Sequence, residues 1–331
     1  MSAPMAKTAA ATRSDAIDLA SVRAAATRIE GFVRRTPMIA APPVKTPPGY
    51  AGPLILKLES LQVTGSFKPR GAINTLRSLS PDSMARGIVT ASGGNHGLGV
   101  AYAGHVGRVP ATIFLPTSAP RSKIEKLREW GAEVRVEGAV WDDANRAALA
   151  FAEARKLAYI HPFADARVMA GQGTIGLEIL ADDPAVDTLV VAIGGGGLIA
   201  GIAIAAKALK PAIRVIGVEP VGAPTLYESV RTGTLVELPE IKTEAGTLAP
   251  RQSASINLDI ISRLVDAIVL VSDDQMRQAA RWLWFELGLA VELSAAAAIA
   301  SLATGAYRPR AGERVCALVC GAGTDGIDSS N

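Results

Sequence analysis

The chain has 331 residues, 49% of them apolar and 20% charged, a composition usual for a globular protein, and its length suggests about two domains. Its 34 basic and 31 acidic residues leave a net charge of +3. That balance, with no basic run, excludes a charge-built nucleic-acid surface, and no uninterrupted apolar stretch reaches the length of a membrane span.

Residues 1–14 are small and polar, carry Lys7 and Arg13, and lack an apolar core. They are not a secretory signal; a frayed tail is the favoured reading, and a transit peptide, for which the stretch is short, the alternative. Pro42 to Pro53 form an early loop, and Ile55–Leu58 read as a strand. Gly87–Ala91 read as a strand that runs into glycines and a helix over Leu98–Gly104. Ala111–Leu115 predict a strand, Ser122–Trp130 a helix, Glu133–Val136 a strand and Trp141–Lys156 a helix. The strand Thr188–Ile193, the helix Leu198–Leu209 and the strand Val215–Val218 follow. The strand Ala267–Val271, the helices Asp274–Leu287 and Ser294–Thr304 and the strand Val315–Val319 complete the pattern. Strands alternating with helices predict an α/β fold with mostly parallel sheets.

The two cysteines, Cys316 and Cys320, are four positions apart on one strand, too close along one face for a standard disulfide. Reduced thiols in a cytoplasmic protein are the expectation. His96, His105 and His161 have no metal-ligand spacing, so no zinc site is expected.

Four segments carry chemistry. In Gly65-Ser66-Phe67-Lys68-Pro69-Arg70-Gly71, the glycine permits a tight turn and Ser66 to Lys68 open a helix. A lysine beside an aromatic ring at a helix N-terminus has its pKa lowered by desolvation and by the helix dipole. Schiff-base chemistry needs such an amine; a solvated lysine between loop and helix is the alternative. Ser92-Gly93-Gly94-Asn95-His96-Gly97 lies between a strand and a helix, where open α/β sheets bind ligands. Its N–H groups, Ser92 and Asn95 can cradle an anion, although an Asn-His pair can also be a plain capped turn. Gly194-Gly195-Gly196-Gly197 let the backbone approach a phosphate closely. Gly195-x-Gly197-x-x-Ala200, with Glu219 after the next strand, equally fits a dinucleotide-binding dehydrogenase. Cys320-Gly321-Ala322-Gly323-Thr324-Asp325 follows the last apolar strand, where a small side chain can meet a ring nitrogen or simply fill the core.

Taken together and in this order, from about Ile29 to Asp325, these segments resemble the fold type II pyridoxal phosphate enzymes of the serine/threonine dehydratase and serine racemase group. The resemblance implies two open parallel-sheet domains of the tryptophan synthase β type with the cofactor between them. Residues 1–77 and 165–331 would form a large cofactor-binding domain, and 78–164 a small domain carrying the loop for the substrate carboxylate. It implies that Lys68 carries pyridoxal 5'-phosphate as a Schiff base and that Phe67 packs on the cofactor ring. Asn95 would meet the ring hydroxyl, Gly194, Gly195, Gly196 and Gly197 the phosphate, and Cys320 the pyridine nitrogen; Glu292 matches a glutamate near the ring. Ser92, Gly93, Asn95 and His96 would hold the substrate. A thiol is a poor proton source, so the pyridine nitrogen would stay largely unprotonated, which suits elimination.

The implied reaction is dehydration of L-threonine or L-serine to a 2-oxo acid and ammonia, with freed Lys68 as general base. Racemases of this group carry a serine that protonates the opposite face of the α-carbon; Gly93 stands there, which favours a lyase. Other β-hydroxy amino acids, such as hydroxyaspartate or phenylserine, are alternative substrates, and a protein that keeps the cofactor without turnover is a third reading. Relatives that bind a divalent cation pair a glutamate with a following aspartate. Here Glu219 is followed by Thr225, so metal binding is not expected and Glu219 is the sole candidate ligand. Thr247 and Arg251 belong to a segment expected near the pocket. The chain ends soon after Asp325, without the regulatory domain of longer biosynthetic threonine dehydratases, so feedback by isoleucine is not expected. A homodimer or homotetramer is the expected assembly.

Overall fold

The computed structural model describes residues 17–42, 44–50 and 52–327; the tail read over residues 1–14 lies outside them. Two sheets organise the chain. The larger is built from β1 (Met38–Ala40), β2 (Leu54–Leu58), β7 (Thr188–Ala192), β8 (Arg214–Pro220), β9 (Ala267–Val271) and β10 (Val315–Val319). Its spatial order is β1-β2-β10-β7-β8-β9. Only the β1–β2 pair is antiparallel; the others are parallel. The smaller sheet contains β3 (Ile88–Ala91), β4 (Ala111–Leu115), β5 (Glu133–Val136) and β6 (Ala158–Tyr159), in the order β5-β4-β3-β6. All its pairings are parallel. The α/β class with parallel sheets is therefore as the alternation predicted.

The central strands are apolar on both faces because helices cover both sides of a parallel sheet. Every residue of β2, β7 and β10 is buried. The single charge among them, Lys57, is buried and paired: its Nζ lies 2.6 Å from Glu178 Oε2 and 2.7 Å from the Thr36 carbonyl. Cys316 and Cys320 are both buried free thiols. No helix among the described residues is long and apolar enough to cross a membrane.

The predicted elements stand within a few residues of their expected bounds. The largest extension is the helix Asn95–Gly107, which begins three residues before the predicted Leu98 and starts directly on the Ser92–Gly94 turn. The helix Ala166–Asp182 went unpredicted. Its Gly171 and Gly173 lower helix propensity, yet both are required. A Cβ on Gly171 would lie 2.5 Å from the Arg70 carbonyl oxygen, and one on Gly173 would lie 2.7 Å from that of Gly201. These glycines bring the helix backbone onto the helices Lys68–Arg77 and Gly197–Leu209.

Parallel strands share a direction, so their carboxyl ends share an edge, and ligands of open α/β sheets bind there. The turns leaving β2, β3, β7 and β10 are the four segments that carry chemistry.

Candidate active site

Lys68 begins the helix Lys68–Arg77, with Pro69 at its start and Phe67 at the cap. Before it, Thr64 (φ 63°) and Gly65 (φ 79°) both adopt left-handed backbone. That conformation is costly for a β-branched residue and characteristic of functional turns. The isolated bridge from Ser66 to Gly321 and the Phe67 N–H to the Cys320 carbonyl (3.3 Å) tie this turn to the end of β10. The Lys68 ammonium donates to the Pro162 carbonyl at 2.9 Å and lies 5.0 Å from the Phe67 ring centroid. Burial pulls its pKa down to about 8, against a smaller opposing pull from Cys320 and Glu292.

Behind Lys68, two residues along the helix, Arg70 is completely buried. Its Nε and Nη2 donate to the two Glu59 oxygens at 2.8 Å each. Nη1 and Nη2 donate to those of Glu178 at 2.6 and 2.9 Å. With Lys57 this makes two cations against two carboxylates, a closed neutral set. Such forked geometry is available to Arg and not to Lys.

The turn after β3 delivers Asn95, whose Nδ2 donates to Glu292 Oε1 and Oε2 at 3.0 and 3.1 Å. This contact ties the small sheet's turn to the N-cap of the helix Leu293–Ala303. Glu292 also accepts from the Ser294 hydroxyl and, at 3.5 Å, from that of Thr247. Burial raises its pKa, while the Ser294 and Asn95 donors oppose. Cys320 stands in the same cluster, and burial holds its thiol protonated. Thr247 thus belongs to the site, as expected of its segment. Arg251 does not join it: its guanidinium binds the Leu238 carbonyl at 3.1 Å and Glu237 at 3.3 Å on the half-exposed surface.

His96 lies in the Asn95 turn, but its imidazole is committed to the small sheet. Nε2 is 3.0 Å from the Ile160 carbonyl and 3.1 Å from Thr90 Oγ1. Burial lowers its pKa to about 3, so the ring is neutral. What His96 can offer a ligand is its N–H, not its side chain.

The glycine turn after β7 opens the helix Gly197–Leu209, whose first N–H groups have no acceptor within the helix. Gly196 (φ 91°) caps it in left-handed backbone. The turn is enclosed: a Cβ on Gly194 would lie 2.7 Å from the Thr247 carbonyl oxygen, and one on Gly195 would lie 2.3 Å from the Phe163 ring. Bare backbone donors on a helix N-terminus fit a phosphate. Pyridoxal phosphate fits the rest of the site too: a buried amine of lowered pKa, a neutral thiol, and a Ser66 hydroxyl beside Lys68 that is buried without a protein partner.

Glu219 is not presented to a ligand. Its two oxygens accept from the Leu226 and Tyr227 N–H groups at 2.9 and 2.7 Å, capping the helix Thr225–Thr232. Burial pushes its pKa up to about 8 against these two donors. The carboxylate that a dinucleotide ribose would need is therefore occupied. Thr225 donates to the Pro250 carbonyl, and among the described residues no group of three or more His, Cys, Asp or Glu side chains gathers round a metal position.

One segment of the site escaped the sequence reading: His161-Pro162-Phe163, which leaves β6. Pro162 supplies the acceptor for Lys68. Phe163 covers the glycine turn, and its carbonyl accepts from Asn257 Nδ2 at 3.2 Å. His161 Nδ1 accepts from the Phe163 and Ala164 N–H groups at 3.2 and 2.8 Å. That leaves the proton on Nε2, and burial lowers the ring's pKa to about 4. The available signal was a proline and an aromatic between a strand and the N-cap Asp165.

Residues 29–321 match the family described as pyridoxal-phosphate dependent enzyme. The L-threonine ammonia-lyase of Geobacter sulfurreducens is 40% identical over 291 residues, 88% of this chain and 72% of that one. The phenylserine dehydratase of Ralstonia pickettii is 36% identical over 314 residues, 93% of this chain and 94% of its own. Among solved structures, maize serine racemase superposes with a TM-score of 0.88 at 32% identity, covering 93% and 94% of the two chains. A buried lysine facing a phosphate-fitting glycine turn, on a fold shared along nearly its whole length, has one family reading: the chain belongs to the pyridoxal-phosphate dependent enzymes of fold type II.

Proposed function

We propose that this protein is a dehydratase, an ammonia-lyase converting β-hydroxy amino acids such as L-threonine and L-serine to 2-oxo acids and ammonia. The observation that carries the reading is Lys68, a buried amine with its pKa lowered to about 8, held by the Pro162 carbonyl next to the Phe163 ring that covers the glycine turn after β7. Bound pyridoxal phosphate supplies an aldehyde for the amines of Lys68 and substrate, and an electron sink for the α-carbon. Gly194, Gly195, Gly196 and Gly197 hold its phosphate by backbone N–H groups. Asn95, steadied by Glu292, would meet the ring hydroxyl, Phe67 would pack on the ring, and neutral Cys320 would meet its nitrogen. Ser92, Gly93, Asn95 and His96 would hold the substrate carboxylate through polar groups of the turn and the N–H groups of Asn95 and His96 that open the helix Asn95–Gly107. Lys68, as a free amine, would take the α-proton as general base. For threonine the atoms balance as 2-oxobutanoate plus ammonia.

Racemisation needs a second acid opposite Lys68. At Gly93 a side chain would meet only Leu115 and the stem of Lys123, so the reading is lyase. We assign residues 1–77 and 165–331 to a large cofactor-binding domain and 78–164 to a small one, in accord with how the strands divide between the sheets. Two buried unpaired thiols accord with cytoplasmic residence, and a homodimer or homotetramer is the assembly we expect. The test is Lys68→Ala. The wild-type protein should show a near-violet absorbance band abolished by borohydride and should release 2-oxo acid from L-threonine. The variant should lose both, and retained turnover would falsify the assignment of Lys68.

A further inference from the structure

The four-glycine turn after β7 has to offer its N–H groups to a phosphate and keep its carbonyl oxygens away from one. Glycines do not secure that by themselves. With no side chains to oppose it, a peptide unit between two glycines rotates about its flanking bonds at little cost. Half a rotation exchanges the N–H that faces a ligand for the C=O. Against a phosphate dianion, a donor is then replaced by the negative end of a dipole.

Two carbonyls of the turn are held. That of Gly196 accepts from the Ala200 N–H at 3.0 Å, inside the helix that the turn opens. That of Gly195 accepts from the Ser253 hydroxyl at 2.9 Å. The peptide is planar and trans, so its carbonyl lies toward Ser253 and the Gly196 N–H points to the opposite side. Four residues on from Ser253, the completely buried Asn257 backs the same peptide. Its Cβ lies 3.4 Å from where a Gly196 Cβ would stand, and its Nδ2 donates to the Phe163 carbonyl at 3.2 Å.

A serine beside a helix start is ordinarily a cap. Here the helix Ser255–Leu264 starts on Ala254 without a side-chain cap. The Ser253 hydroxyl, 8% exposed, gives its single proton to Gly195 across 58 positions instead. No second proton is left for a phosphate, so what Ser253 does for one it does through the turn.

We infer that Ser253 is a positioning residue for the cofactor phosphate: it holds the Gly195 carbonyl away from the phosphate and so keeps the Gly196 N–H turned toward it. This role goes beyond the dehydratase reading, holds for any amino acid the enzyme acts on, and is tested without turnover. Full-length apoprotein is titrated with pyridoxal 5'-phosphate and, separately, with pyridoxal, which has the same ring and aldehyde and no phosphate; absorbance follows capture. The ratio of the two dissociation constants measures what the phosphate contributes. Ser253→Ala should reduce that ratio about fivefold to tenfold, the effect of one hydrogen bond, and leave the affinity for pyridoxal within about twofold. Ser253→Thr keeps the hydroxyl and should keep the ratio, even where its added methyl weakens both ligands alike. A ratio unchanged in Ser253→Ala overturns the inference, whether both affinities stand or both fall together, since the hydroxyl is then a packing contact only. A ratio that falls as far in Ser253→Thr as in Ser253→Ala overturns it too, because the donor is then not what the phosphate senses.

Discussion

The turn after β7 and the turn after β3 hold equivalent places, each leaving the carboxyl end of a parallel strand and opening a helix, and each holding consecutive glycines. Their surroundings differ. At Gly194, Gly195, Gly196 and Gly197, any Cβ would strike neighbouring protein within 2.7 Å: the Thr247 carbonyl, the Phe163 ring, Leu226 or the Phe163 carbonyl. At Gly94 a Cβ would meet nothing, and at Gly93 only the far end of the Leu115 side chain comes near. The first set of glycines lets protein close tightly on the turn and leaves its N–H groups bare, as a fixed cofactor requires. The second keeps space open, as a changing substrate requires.

The sharpest way to break this comparison is one added methyl group in each turn. Gly195→Ala should force the turn off the Phe163 ring, and a misplacement of about 1 Å costs on the order of 100-fold in the rate of a positioned reaction. We expect that loss in turnover, with weakened capture of pyridoxal phosphate followed by absorbance on reconstituting apoprotein. Gly94→Ala has open space and an ordinary backbone (φ −103°); its cofactor affinity should change by about threefold or less, the usual effect of an unstrained substitution. Equal losses in the two variants would show that the turns are not built differently.

Lys68 can serve both turns only if its helix is held from behind, which is the place of the Arg70 cluster. Arg70→Met would leave Glu178 with Lys57 and the buried Glu59 carboxylate with the Thr36 hydroxyl and no cation against it. Removing one partner of a buried ion set costs about 3–5 kcal/mol, to be read as a lowered midpoint in urea denaturation. Arg70→Lys should recover part of that and not all, since an ammonium cannot fork to two carboxylates. If Arg70→Met were as stable as the wild type, the cluster would be no anchor.

The pH dependence of cofactor capture tests the site from the amine's side. Only neutral Lys68 can add to the cofactor aldehyde. Burial lowers its pKa from 10.5 to about 8, so the neutral fraction grows as pH rises through 8 and is about nine-tenths at roughly pH 9, where an exposed lysine is still almost wholly charged. The rate of holoenzyme formation from apoprotein should rise to a plateau with its midpoint near pH 8. A midpoint near 10.5 would mean that the amine is exposed to solvent in apoprotein.

Much of this site was legible because its residue types are demanded by local backbone. Gly65 stands in left-handed backbone, the glycine run in a closed turn, and the central strands are apolar throughout because both faces are covered. The parts that were not legible depend on partners distant in sequence. Asn95 meets Glu292 across 197 positions, and no local pattern announces that pairing. The helix Ala166–Asp182 was hidden by the glycines that let it pack against Arg70 and Gly201. β6 has two residues, both half-buried, too few to show an alternation, so the His161–Phe163 segment it launches toward Lys68 was missed with it. His96 was drawn toward the substrate by its place in the turn; only the Ile160 carbonyl, 64 positions away, reveals where its ring goes.

The smallest change with a distinct outcome is Gly93→Ser, because it asks what the open turn is open for. The backbone tolerates it: the nearest atom to the new Cβ would be Leu115 Cδ2 at 2.9 Å, the end of a side chain that can swing aside. A hydroxyl there could deliver a proton to the face of the α-carbon opposite Lys68, and slow conversion of L-serine to D-serine should appear beside continued 2-oxo acid release. If the variant releases only 2-oxo acid and no D-serine, the missing side chain at position 93 is not what makes this protein a lyase.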